Sequence, residues 1–308
     1  MKLKWTDHYN MGIESIDQDH RQLFRIAEKI IDTVEDAQDI NERTRLFVVR
    51  EGVKYLRSYF AEHSAREEAY MRQVGYHDYV THKRLHDEFQ DVQLVRFEGI
   101  IQRGTCTKDE VLDFVGLGIG WLLEHISTAD MAIVGKGVLC QPKAEKLDAQ
   151  VLEREVNMLF AATLNMDVNA RVINFNYGGE YFGEAVYQKF IYEKEGKPLN
   201  VVAGIEKTFL LRVARAVYGE EMAESEALIL ATLEIFGANF WRTLGERLIT
   251  SDRNVEFREN HFMSQREMQA AFAARLPAVS LLFDSQGGKF FIASNDPSWR
   301  ERALESAS

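Results

Sequence analysis

The stretch AEHSAREEAYMRQVGYHDYVTHKRLHDEF, residues 61–89, holds four of the chain's eight histidines. His63 and Glu67 stand four residues apart, and so do His82 and His86. Side chains four apart share one face of an α-helix. The stretch therefore reads as two helices that each present a pair of metal-ligand side chains. Working outward, His20 closes the IDQDH turn upstream, and EHISTAD downstream supplies His125 and Asp130.

The surrounding sequence predicts the helices that would carry them. No proline occurs before position 143, which favours long uninterrupted helices. SIDQDHRQLFRIAEKIIDTVED repeats Ile16, Leu23, Ile26, Ile30 and Val34 at helical spacing. A second helix follows Asn41, a predicted N-cap, and runs through MRQV. A third is expected over HDYVTHKRLHDEFQDVQLVRFEGIIQRG, closed by Gly104. TKDE opens a fourth with a capping-box pattern. Four such helices joined by short connections predict an antiparallel four-helix bundle.

Five imidazoles and two carboxylates are too many ligands for one tetrahedral metal and enough for two metals bridged by the carboxylates. Imidazole with carboxylate suits iron as well as other first-row metals, and the lack of thiolate argues against a structural zinc or cluster site. One spacing resists. His125 and Asp130 are five apart, about 140° around an ideal α-helix, so a local distortion such as a π-bulge is expected there. His8, His77 and His261 stand outside these spaced pairs and read as surface or loop residues. Trp5 and Tyr9 read as packing at the bundle end.

With W…MGIESIDQDHRQLF, HSARE, HKRLH and HISTAD in this order, the first 135 or so residues resemble the bacteriohemerythrin branch of the hemerythrin family. The resemblance implies a di-iron centre with an oxo or hydroxo bridge. One iron would take His82, His86 and His125, and the other His20 and His63. Glu67 and Asp130 would bridge them, leaving one position open for dioxygen. His77 stands where that family often has proline, which touches no ligand.

The expected boundaries are a bundle over 1–135, a linker over 136–146 and an α+β domain over 147–308. In the last, DAQVLEREVNMLFAATLN, KTFLLRVARAVYG and ESEALILATLEIFGANFWRTLGERL read as helices. ARVINFNY, GEAVYQKFIYE and LNVVAGI read as strands, and AVSLLFD with KFFIASN as a closing hairpin. This pattern resembles the CheC/CheX family of chemotaxis phosphatases, in which an acid and an asparagine three residues later act on an aspartyl phosphate. Glu234 fits the acid position, but Gly237 stands where the asparagine would be, and Asn239 is five residues on. Positioning catalysis fails with such a misplacement. A solvated helix residue is the bland reading of Glu234.

The net charge of −11 argues against a nucleic-acid partner. No apolar signal-peptide core and no uncharged apolar stretch of membrane-spanning length is seen. With only Cys106 and Cys140 present, a reducing compartment and a cytoplasmic location are expected. The expectation for the whole chain is a di-iron oxygen or redox sensor that signals through its C-terminal domain. The expected partners are dioxygen, a CheY-like response regulator or another chemotaxis protein, and a second copy of the chain as a homodimer. Two rivals stand beside it: an oxygen carrier or store with an oligomerisation domain, and an oxygen-regulated phosphatase.

Overall fold

A computed structural model describes residues 3, 5–35, 41–140, 148–220, 225–248 and 255–296. Residues 141–147, which include most of the expected linker over 136–146, and the last twelve positions, 297–308, lie outside the described residues. The chain divides into two compact units, Met1–Lys136 with Ser225–Phe236, and Gly137–Glu224 with Gly237–Ser308.

The first unit is a bundle of α1 (Glu14–Glu35), α2 (Glu42–Val74), a third helix in two pieces, and α5 (Lys108–His125). On α1 the expected Ile16, Leu23 and Val34 are buried and joined by Phe24 and Ile31, whereas Ile26 and Ile30 stay half-buried. The side chain of Asn41 accepts the Thr44 amide and starts α2. Thr107 and Glu110 form the reciprocal capping box of α5. Gly75 and Gly104 end their helices in the left-handed conformation, at φ +67° and +77°, where a Cβ would be strained.

The third helix departs from the expected single run. It consists of α3 (Tyr79–Glu88), a π-helical segment Phe89–Gln93, and α4 (Val95–Arg103). A second π-helical segment, Ile126–Asp130, continues α5 and leads into the single turn α6 (Met131–Ile133). The helical run Lys108–Cys140 is long and apolar enough to cross a membrane, a feature absent from the sequence reading. The most apolar window of that run is 89% buried, as suits a core helix.

Glycines set how closely helices approach α5. At Gly52 on α2 a Cβ would lie 2.5 Å from the Phe114 ring. At Gly116 it would lie 2.6 Å from the Ala231 methyl, and at Gly120 2.7 Å from the Thr232 carbonyl oxygen. Residues 225–236 of α9 (Glu226–Leu248) thus seat on the glycine face of α5 within this unit.

The second unit holds α7 (Ala149–Leu164), α8 (Lys207–Tyr218), the rest of α9, α10 (Gln265–Ala274) and six strands. The strands are β1 (Arg171–Asn174), β2 (Ala185–Lys194), β3 (Lys197–Glu206), β4 (Val255–Met263), β5 (Val279–Ser285) and β6 (Gly288–Ser294). They form one antiparallel sheet in the order β1-β5-β6-β3-β2-β4. Alternation along β6 sends Phe290 to the face shared with Phe160, Phe209 and Phe283 and Phe291 to the face shared with Tyr177, Met268 and Phe272. Asn157 and Glu153 pin the start of β1 to α7. Asn157 bonds the Ala170 backbone in both directions at 2.7 and 2.9 Å, and Glu153 accepts the Val172 amide at 2.9 Å. The sequence reading contained neither β4 nor α10. His261 accordingly sits on strand β4 rather than in a loop, and it is exposed.

Candidate metal centre

The seven ligand-type residues come from α1, α2, α3, α5 and the π-helical turn beyond it, and all are buried to 3% exposure or less. Ligand atoms of Glu67, His82, His86, His125 and Asp130 lie within 4.8 Å of one another. Those of His20, His63 and Glu67 form a second such group, and Glu67 belongs to both.

Asp130 also spans the two groups. Its Oδ1 lies 2.9 Å from His125 Nε2 and 3.3 Å from His82 Nε2, and its Oδ2 lies 3.2 Å from His20 Nε2. Glu67 Oε2 faces His86 Nε2 at 3.1 Å and His82 Nε2 at 3.2 Å. The five-residue spacing of His125 and Asp130 is resolved by the π-helical segment, whose i→i+5 repeat returns both to one face. Ser127 and Thr128 donate their hydroxyls to the carbonyls of Leu123 and Glu124 at 2.6 and 2.9 Å. Such back-bonding perturbs helices and accompanies the widening here.

Burial opposes the ionisation of Glu67, and so does Asp130, yet the hydrogen bonds from His82 and His86 hold its carboxyl below the usual range. Asp130 is likewise buried and is held well below it by His125, His20 and His82. Burial works against His82 as a cation, but Asp130 and Glu67 raise it to about 10. Burial, aided by the neighbouring His82 and His86, outweighs Asp130 and lowers His125 to about 4. Two fixed anions thus demand positive charge in a closed apolar setting. The Nε2 of His20, Oε1 of Glu67 and both oxygens of Asp130 have no hydrogen-bond partner. Each such orphan costs about 1–3 kcal/mol. A pair of cations fits these donors in both charge and coordination.

Charged and aromatic groups without an assigned role in the sequence surround the imidazoles. Asp19 lies 3.5 Å from His63 Nδ1 and is itself gripped by Arg66 at 2.7 and 2.9 Å and by the Tyr59 hydroxyl at 3.0 Å. Burial pushes the Asp19 carboxyl up, but His63, Arg66 and Tyr59 outweigh it and hold it well below the usual range. Glu68 lies 3.6 Å from His86 Nδ1. An acid next to a ligand on either helix (Asp19 before His20, Glu68 after Glu67) was the only available signal. Trp121 stacks on His125 at 4.1 Å, and Phe60 meets His86 edge-on at 5.6 Å. Trp5 packs on Phe24 and lies 6.2 Å from His20. His77 is exposed, beside Asp78 at 3.0 Å.

Glu234 stands apart from this cluster. Arg96 donates to it at 2.8 Å and to Asp113 at 2.9 Å. Asn239 is buried and accepts from Arg242 at 2.8 Å.

The hemerythrin HHE cation binding domain matches residues 11–136. A bacteriohemerythrin of Clostridium acetobutylicum is 31% identical over 127 residues, which is 41% of this chain and 94% of that protein. The chain belongs to the hemerythrin family. A Pseudomonas aeruginosa bacteriohemerythrin is 33% identical over 132 residues, 43% of this chain and 79% of its own. The myohemerythrin of Sipunculus nudus is 27% identical over 134 residues, covering 91% of that protein. The hemerythrin segment contains all seven ligand-type residues, and their buried histidine–carboxylate cluster is consistent with a hemerythrin site for two metals. Among solved structures, the crystal structure of Thermotoga maritima FliY is similar at 15% identity and a TM-score of 0.35, over 49% of this chain and 89% of that one.

Proposed function

We propose that the hemerythrin unit holds two iron ions and binds dioxygen, and that the whole chain is an oxygen or redox sensor. The observation that carries the metal reading is the pair of ligand groups sharing Glu67 and spanned by Asp130. His82, His86 and His125 would hold one ion, His20 and His63 the other, with Glu67 and Asp130 between them. Bound there, two irons would supply a reversible binding position for dioxygen.

The protein's own groups prepare that site. Asp19 favours the proton on His63 Nδ1 and so leaves Nε2 for the metal, and Glu68 does the same for His86. Phe60, Phe89 and Trp121 form an aromatic wall that excludes water from the imidazole side. The test is metal content with an optical spectrum under air and under reductant. Two irons per chain and an oxygen-dependent spectrum are expected; an iron content near zero after reconstitution defeats the reading.

For the second unit we propose a CheC/CheX-like role in passing the state of the irons to a CheY-like response regulator in the cytoplasm. Its α+β architecture supports this. A ligand can signal only through different affinities for two conformations. Regulator binding and proteolysis across 136–146 should therefore differ between oxygenated and deoxygenated protein, and identical behaviour rules sensing out. Plain oxygen storage is then the surviving role. Glu234 receives no hydrolytic role here, because Arg96 engages its carboxylate and Gly237 offers no side chain to orient water.

A further inference from the structure

In the second unit a pocket of about 40 Å³ opens between the last turns of α9 and the sheet. Its floor is apolar. Tyr192, Val201, Trp241 and Ile292 line it, and each is buried to 7% exposure or less. Its rim is charged on both sides. The helix supplies Arg242 and Glu246, four residues apart and so on one face, both half-buried. The sheet side supplies Lys194 and Asp296, whose Nζ and Oδ2 lie 3.4 Å apart. Asp296 is only 9% exposed.

Size and charge together narrow the guest. One water takes about 10–15 Å³ of such space, so about three or four heavy atoms fit. That is a branched aliphatic group, not a nucleotide or a sugar. The rim carries two cations and two anions. A guest of one charge would leave an unpaired ion in a partly desolvated place, which is costly. A guest without charge would gain nothing from the four groups. A zwitterion adds one charge of each sign and keeps the balance. A carboxylate suits the planar fork of Arg242, and an ammonium suits the Asp296 carboxylate. Gly245 on α9 adds an independent sign, for it also lines the pocket. A Cβ there would meet nothing within 4 Å, and its φ is not in the left-handed region. A helix-interior glycine costs about 1 kcal/mol relative to alanine. Neither crowding nor backbone geometry requires glycine there, but any longer side chain would enter the pocket.

We propose that this pocket binds a free α-amino acid with an aliphatic side chain. The side chain rests on Trp241 and Ile292, the carboxylate meets Arg242 and the ammonium meets Asp296. Binding there gives the second unit a chemical input of its own, independent of the metal reading. The test is calorimetric titration of the full chain with L-valine and L-leucine. Saturable binding of one molecule per chain is expected. Isobutylamine and isovalerate, each lacking one charge, should bind at least about tenfold more weakly, as loss of a charged hydrogen bond implies. Gly245→Leu should abolish binding. Gly245→Ala, which favours the helix, should fold in any case and weaken it. Asp296→Asn should weaken the amino acids by about tenfold and leave isovalerate unchanged, a split that a merely structural loss would not give. No saturable binding of either amino acid at millimolar concentration overturns the proposal. Equal binding of isobutylamine or isovalerate overturns the zwitterion assignment, and undiminished binding to the Gly245→Leu variant overturns the location.

Discussion

Glu67 is the residue on which both ligand groups depend. Glu67→Ala should therefore empty both positions, taking iron from two per chain toward none, whereas His20→Ala should cost about one, by metal analysis after reconstitution. Asp19→Asn changes no ligand but weakens the hold on His63. Loss of such a supporting partner typically costs 10–100-fold in metal affinity, readable by chelator competition. Asp113 gives a pH prediction. Burial pushes its carboxyl up to about 6, with Arg96 pulling against this and Glu234 adding to it. The folded state therefore holds the proton more tightly than the unfolded chain. The resulting stabilisation is complete below the ordinary value of 3.8 and is lost as pH rises through about 6. Asp113→Asn keeps the uncharged form, so its denaturation midpoint relative to wild type should rise between pH 4 and pH 7. A pH-independent difference would contradict this.

At the scale of elements, the ligand pairs on α2 and α3 were legible because i,i+4 spacing in an α-helix needs no other knowledge of the fold. The widened turn at Ile126–Asp130 was inferable only from the misfit of one pair, and the one at Phe89–Gln93 left no such trace because no ligand pair straddles it. Deleting Ala129 would leave His125 and Asp130 four apart, about 400° around an α-helix, and metal content should survive. Inserting one alanine after Ser127 would set them six apart, about 600°, some 120° off a shared face, and Asp130 ligation should fail. Strand β4 was missed because it is a sheet edge paired only with β2. Its residues, exposed or half-buried after Val255 and several of them charged, lack the alternation that marks a half-buried strand. Helix α10 buries only Met268 and Phe272, too sparse a stripe to read. Its capping box, Ser264 with Glu267, was the overlooked signal.

Over the whole molecule, every ligand-type residue falls within Met1–Lys136, but the compact unit also counts Ser225–Phe236. A truncated chain of residues 1–136 should therefore bind two irons as the full chain does, yet melt lower, because Gly116 and Gly120 lose the backbone that packs on them. Equal melting temperatures would show that those contacts contribute nothing. That dependence was not legible in the sequence, since a glycine's lack of a side chain does not say who comes close to it. It also has a consequence during synthesis. The bundle's helices leave the ribosome before residues 225–236 exist, with Gly137–Glu224 still to be translated. At about 5–20 residues per second, the nascent bundle spends several seconds with an apolar notch uncovered, a window in which chaperones or a neighbouring nascent chain can reach it.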